Sequence, residues 1–453
     1  MKKIIIAISL ALTFFSCQDS FLDIPPVTGV TSDKLVDLPA MKGLINGAYG
    51  LMRGQGGVTF CTFTPLSGAL LVRDVVTRNN TNYPQYFDHN IGNDLGIFTR
   101  AFRILNELNT VAIKDVMAMP GTDAEKKAIL GDMHFLRALV YFEMNNLYEL
   151  PSTGYSLPLL QKPVGITDRI SCSKTIDVMN AIEADIEKAR ENFTNNNLGV
   201  SNYQAATALA ARIYFFHKKY DKAYEMANEV ITKGGFVIET NVKAPFTPGT
   251  PSKENIFMIR FNTGDNASPL PVSGLFNAYR AVQSQGNLSL NPDGVLSKLM
   301  NADPKDARWA FYKVEPTITY INGKYPSDQM DLAYIRLPEM HLTRAEANIM
   351  KNNVVSQQDV DDINKLRTRA NPATVLKTIP AKEAALDTIY NDRTKELAIE
   401  LGDHYINTRR LQKGIIKTAQ EGGGLKPYSV YGDLLAFPFP GSEINIHNLT
   451  RKP

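Results

Sequence analysis

The stretch ALAARIYFFHKKYDKAYEMANEVI, residues 208–231, reads as helix, tight turn, helix. Small or aromatic residues stand at Ala211, Tyr214, Tyr220, Ala223 and Ala227. Small side chains let two antiparallel helices approach closely, and the aromatics fill the space that remains. A helix pair of this kind cannot bury its own apolar face and needs neighbours stacked on it. The sequence supplies candidates. Residues 98–116 pair with a helix starting at Asp123, residues 338–351 pair with 357–370, and a third unit starts near Ala381.

From 123 to 150 the apolar positions Ile129, Met133, Leu136, Val140, Met144 and Leu147 step by three or four, which is one helix face. Phe135, Leu139 and Phe142 add a second stripe, so this helix is packed on several sides. Pro338 suits a first helical turn, where its missing N–H costs nothing. Two regions break the pattern. Residues 50–96 are rich in Gly, Asn and Thr, and residues 240–326 in Pro, Gly and Asn. The second holds one strand candidate, NIFMIRF at 255–261, with imperfect alternation at Ile256, Met258 and Ile259. Long irregular segments are often binding loops. The expected fold is all-α, a superhelix of helix pairs with two large loop regions and little β. The order of small and aromatic residues in 208–231 is similar to the tetratricopeptide repeat.

The chain has 453 residues, 44% hydrophobic and 21% charged, enough apolar material for a large core. Lys and Arg number 49 against 46 Asp and Glu; without Lys2 and Lys3 the balance is 47 to 46. Such neutrality gives no support for nucleic-acid binding, which calls for a basic face. Cys61 and Cys172 are read as buried thiols, with pairing in an exported protein as the alternative.

The chain opens with Lys2 and Lys3, an apolar run at 4–15, then Ser16 and Cys17. The run is shorter than the roughly 20 residues of a membrane span and has the length of a secretory signal. Its layout resembles a bacterial lipoprotein signal, cut before a cysteine whose thiol is then acylated, although Phe14 stands where many such signals carry Leu. A plain signal with an incidental cysteine is the other reading. Stable anchoring needs more than one acyl chain, and a bacterial lipoprotein carries several. Asp19, Asp23 and the Pro25-Pro26 pair then belong to a solvated tether. A Cys17→Ala protein is expected to leave the membrane fraction; unchanged fractionation would refute lipidation.

Nearly the whole mature chain resembles the SusD/RagB family of Bacteroidetes lipoproteins. The segments that carry the likeness run in order: DSFLDIPP at 19–26, AFRILNELNTVAI at 101–113 and GDMHFLRALVYFEMNNLYELP at 131–151 with LPLL at 157–160. They continue with SKENIFMIRF at 252–261, YIRLPEMHLTRAEANI at 334–349 and INKLRTRAN at 363–371. RTKELAIELGDHYINTRR at 393–410 and LAFPFPGSEINIHNLTRKP at 435–453 complete them. Asp392 stands where the family has Glu, and Leu401 precedes Gly402 where the family places Gly directly after Glu. The resemblance implies a signal peptide at 1–16, a lipidated tether at 17–33 and a helical domain at 34–453. Within that domain it implies an N-terminal part to about 235, a variable ligand-loop region at about 236–330 and a C-terminal part from about 331. It further implies capture of an oligosaccharide, or in some members a peptide, and delivery to a SusC-like TonB-dependent transporter at the outer membrane. A mainly gating role as the transporter's lid is an alternative.

No cofactor or metal site is expected. The six histidines are scattered without HExxH spacing. Asp359, Asp361 and Asp362 favour a helix start, although the family resemblance leaves a calcium role open. Glu396 and Glu400, at i and i+4 on a helix, would lie about 5–6 Å apart, near the spacing of a retaining glycosidase pair. Arg393 and Lys395 beside them point instead to an ion-paired helix face, and no catalysis is expected. A sugar site needs an aromatic platform rimmed by polar groups. The two loop regions supply Arg78, Asn80, Tyr83 and Tyr86 from the first, and Tyr279, Trp309 and Tyr312 from the second. The alternative is that these aromatics pack the loops onto the scaffold.

Overall fold

A computed structural model of the chain describes residues 35–54, 58–78, 82–165, 168–194, 200–260, 273–280, 287–447 and 449. The signal, Cys17 and the tether, together with Asn80, lie outside these residues.

The first helices are α1 (Leu38–Arg53), α2 (Phe60–Leu71), the short α3 (Pro84–Phe87), α4 (Ile97–Ala112), α5 (Asp123–Tyr148), α6 (Thr175–Asn192), α7 (Tyr203–Phe216) and α8 (Tyr220–Lys233). The strand β1 (Val75–Thr77) follows α2. The variable region contributes β2 (Asn255–Ile259), α9 (Ser273–Tyr279), β3 (Leu288–Leu290), α10 (Val295–Asn301), β4 (Lys313–Glu315) and β5 (Ile318–Tyr320). The remainder is β6 (Leu332–Arg336), α11 (Leu337–Asn352), α12 (Gln357–Ala370), α13 (Lys382–Glu396), α14 (Asp403–Leu411), β7 (Ile415–Ile416), β8 (Leu425–Lys426), α15 (Tyr428–Tyr431) and α16 (Gly441–His447).

The helices stack in series. α4 packs on α5, α5 on α6, α6 on α7 and α7 on α8; α8 then packs on α11, and α11 on α12 and α13. The stretch 208–231 forms the α7–α8 hairpin, with Ala211, Tyr214, Ala223 and Ala227 fully buried. Lys218 turns the chain at φ 60°. The long helix α5 begins in a capping box between Thr122 and Glu125, which supplies two of the orphan N–H groups of its first turn. Both of its apolar stripes are buried, as their width requires. Pro338 sits in the first turn of α11. Among the described residues no helix is long and apolar enough to cross a membrane.

The region 50–96 is less irregular than its composition suggests. Every residue of α2, FCTFTPLSGALL, is buried, including Pro65 in its middle. Small and hydroxyl residues here are core residues: Ser67 Oγ donates to Phe63 O at 2.9 Å, and Thr64 Oγ1 to the Glu143 carboxylate at 3.0 Å. A helix buried all round shows no amphipathic period, which hides it from a periodicity reading. The NIFMIRF segment does form a strand, β2, paired antiparallel with β6 across a bulge. Cys61 and Cys172 are buried. The Cys61 thiol donates to Met52 O at 3.2 Å, and burial pushes it up to about 12.

Candidate functional site

The two loop regions are joined by a backbone ladder. β1 pairs antiparallel with β3, Val75 opposite Leu290 and Thr77 opposite Leu288. Arg78 N donates to Asn287 O at 2.8 Å, and Asn287 N donates to Ala278 O at 3.0 Å, which ties in the end of α9. β3 also packs on β5 of the β4–β5 hairpin. Segments some two hundred residues apart therefore form one face.

Ahead of β1, Asp74 fixes this face to the scaffold. Its backbone O accepts from Asn291 N at 2.9 Å, and one carboxylate oxygen lies 2.6 Å from His404 Nδ1 on α14. His404 Nε2 lies 2.9 Å from the Tyr390 hydroxyl on α13. Burial opposes the His404 charge, but Asp74 outweighs it, then Tyr390, and the imidazole is raised to about 10. NPDG at 291–294 reads as a turn, but nothing local marks the pairing of Asn291 with Asp74, which lies far away in the chain.

On this face Arg78 is half-buried. Its Nη1 donates to the Tyr320 hydroxyl at 2.9 Å, and the guanidinium lies 5.1 Å from the Tyr320 ring centroid. Tyr320 stands opposite Lys313 across the hairpin, one residue from Tyr312. Tyr312 and Trp309 meet edge to face at 5.4 Å, and both are half-buried. The indole N–H is committed inward, to Met300 O and Asp303 O at 3.2 and 3.1 Å, which leaves the ring to act as a surface.

The other aromatics lie beneath. Tyr86 is fully buried, 6.1 Å from Phe63 and 5.5 Å from Phe437 between ring centroids, with its hydroxyl donating to Asn93 O. Tyr279 is fully buried, and desolvation raises its phenol well above the ordinary value. Tyr83 is 6% exposed. These three rings support the face from below and do not form a platform: an aromatic surrounded by core side chains has no face left to offer a sugar. Arg78, Trp309 and Tyr312 are the expected residues that reach the surface.

Glu396 and Glu400 are not paired along one helix. α13 ends at Glu396, and the chain passes through a buried turn with Ile399, Leu401 and Gly402 at positive φ before α14. Gly402 is required there: a Cβ would lie 2.8 Å from Thr64 Cγ2 and 2.9 Å from Thr64 O. Irregular buried carbonyls need donors, and the variable region supplies them. Lys324 Nζ donates to Glu396 O at 2.8 Å and Ala398 O at 3.0 Å, and the Tyr325 hydroxyl to Ile399 O at 2.9 Å. Both carboxylates are buried among cations. Glu396 meets Arg308, Arg336 and Arg369, while Glu400 meets Lys324 and Arg336. Desolvation opposes the Glu396 charge, yet Arg369, Arg336 and Arg308 hold it well below the usual carboxylate range. It has no proton to give near neutral pH, as a glycosidase acid must. The expected partners differ too: Arg393 pairs with Asp403, and Lys395 with Asp306 and Asp392.

Asp359 caps its own helix from Ser356, Asp362 takes Arg344 and His341, and Asp361 accepts from Gln357. Among the described residues no cluster of His, Cys, Asp or Glu could hold a metal ion.

Residues 312–427 match the sequence profile of the SusD family. The fold is SusD-like. A SusD superfamily protein of Bacteroides thetaiotaomicron superposes with a TM-score of 0.78 at 22% identity, covering 92% of this chain and 100% of that one. A SusD-like carbohydrate-binding protein of Bacteroides vulgatus gives 0.75 at 17% identity over 91% and 97%. A laminarin-binding SusD-like protein gives 0.72 at 15% identity over 92% and 99%. No curated protein matches the sequence. The matched segment runs from Tyr312 through the Glu396–Gly402 turn to Pro427, so it includes the C-terminal helices α11–α14 and leaves out the helices of residues 38–233.

Proposed function

We propose that this SusD-like chain captures an oligosaccharide without chemistry and passes it to a SusC-like TonB-dependent transporter. The observation that carries the reading is the β1–β3 ladder, which brings Arg78 with Tyr320 and Trp309 with Tyr312 onto one face. The partly exposed rings of Trp309 and Tyr312, with the guanidinium of Arg78 held on the buried Tyr320, match what a sugar presents, an apolar face and a rim of hydroxyls. The two SusD-like neighbours described as binding carbohydrate and laminarin support the ligand class. On this reading Cys17 is acylated and holds the protein at the outer membrane, residues 1–16 are the signal and 17–33 the tether. The helical domain then spans 34–453, with 236–330 as the ligand-loop region.

Calorimetric titration with oligosaccharide digests, beside peptide digests, tests the reading. Saturable glycan binding with no product formed is expected. Trp309→Ala should weaken it by about tenfold or more while circular dichroism stays unchanged, since stacking on one ring is worth about 1–3 kcal/mol in comparable sites. Full affinity in both Trp309→Ala and Tyr312→Ala would exclude this face. Binding of peptides alone would replace the glycan by a peptide ligand, and binding of neither would favour a gating role.

A further inference from the structure

Most arginines among the described residues pair with a carboxylate. Arg73, Arg137, Arg212, Arg308, Arg336 and Arg393 each meet a carboxylate within 4 Å, and so do others. Arg53, Arg78, Arg100, Arg103, Arg169 and Arg280 do not, and of these Arg78 and Arg280 are the two tied to the β1–β3 ladder. Among the described residues neither forms an ion pair, and Arg280 Nε is buried without a hydrogen-bond partner. Each guanidinium instead lies over an aromatic ring: Arg78 at 5.1 Å from the Tyr320 centroid, Arg280 at 5.9 Å from that of Phe276. Both residues are half-buried.

The same ladder carries both. Arg78 N bonds Asn287 O, Asn287 N bonds Ala278 O, and Arg280 follows two residues on. A guanidinium laid on a ring is held in place while its edge keeps the planar fork that matches an oxyanion. An unpaired cation at a half-buried position is a cost that an anionic ligand removes.

We infer that the candidate face selects an acidic oligosaccharide, one whose units carry carboxylate or sulfate groups, with Arg78 and Arg280 as the residues that read the charge. The inference rests on the glycan-capture reading of this face and narrows it. Nothing else about the chain favours anions, since its overall charge is close to neutral.

The test compares three glycans of equal length by calorimetry on the intact protein: an oligogalacturonide, a sulfated oligosaccharide and a neutral β-glucan oligosaccharide. The acidic arms should bind about tenfold or more tighter than the neutral one, as charge-assisted bonds to a carboxylate or sulfate allow. That preference should shrink as salt rises. The carboxylate and sulfate arms tell which oxyanion is read. Arg78→Gln and Arg280→Gln should each collapse the acidic-over-neutral preference and flatten its salt dependence. Arg→Lys at either position should restore the salt dependence but not the full preference, because Lys lacks the fork. Equal binding of neutral and acidic glycans, or a preference untouched by both Gln variants, overturns the inference and leaves glycan capture standing. Absence of binding by all three glycans overturns both.

Discussion

Arg336→Met is expected to destabilise the fold by about 3–5 kcal/mol, the usual cost of removing one partner from a buried ion pair. Arg336 ends β6 and is 2% exposed. Its guanidinium donates to Glu254 Oε1 at 2.5 Å, to both oxygens of Glu400 at 2.7 and 2.8 Å, and to Glu396 O at 3.1 Å. Met replaces its bulk but leaves three buried carboxylates short of a cation. Arg369, Arg308 and Lys324 still reach Glu254, Glu396 and Glu400, which keeps the loss within that range instead of abolishing the fold. Urea unfolding followed by far-ultraviolet circular dichroism measures it. Lys313→Ala breaks an exposed pair with Glu315 in β4 and should fall within about 0.5 kcal/mol of wild type. A loss below about 1 kcal/mol for Arg336→Met would mean that the turn after α13 does not depend on this cluster. Because the same turn is held by Lys324 and Tyr325, just after β5, damage here should also loosen the candidate face.

The second large effect is a pH dependence centred on Glu143. This residue of α5 is 3% exposed and accepts from the hydroxyls of Tyr334 on β6 and Thr64 on α2. Desolvation is the leading cause and outweighs Tyr334, Thr64 and Arg212, so the carboxyl rises from about 4.5 to about 7. Below the lower value both folded and unfolded chains hold this proton. Between the two, the folded chain keeps a proton that the unfolded chain has released, so stability falls as pH rises. The contribution is lost above about 7. At about 1.4 kcal/mol per unit the whole effect is about 3 kcal/mol. Glu143→Gln carries no titrating group, so the stability of wild type minus variant should decline by that amount between pH 4.5 and 8. A difference that stays flat across this window would show that Glu143 is ionised in the fold throughout. The comparison cancels groups present in both proteins, such as Glu421, lowered to about 2 chiefly by Arg73, and His404.

How far the sequence could be read depended on whether its signal was local. The helix pairs were legible because small and apolar residues recur at helical spacing: 208–231, 123–150, and the α11–α12 pair with Pro338 in its first turn. α2 was not, since a helix buried on every side carries no polar face to set its period. β1 and β3 are three residues each, and they become strands only by pairing with one another across the fold. The candidate face was half legible. Residue chemistry marked the two loops and included Arg78, Trp309 and Tyr312. It could not distinguish a ring at the surface from Tyr86 or Tyr279 in the core, because burial is set by what packs over a side chain and not by its neighbours in the chain. Glu396 and Glu400 show the same limit. Their spacing suggested one helix face, yet α13 ends at Glu396, and cations from β6, α12 and residues 308 and 324 pair with them.

The sequence by itself therefore determined the helical scaffold and the order of its pairs, since these follow from periodicity and from small residues that allow close approach. It also determined which two loops hold the polar and aromatic side chains. Tertiary structure alone decided that those loops share one face, which of their rings stay partly exposed, and which of their arginines are left without a carboxylate. Each of those outcomes is a long-range pairing or a burial, and neither has a counterpart in the spacing of residues along the chain.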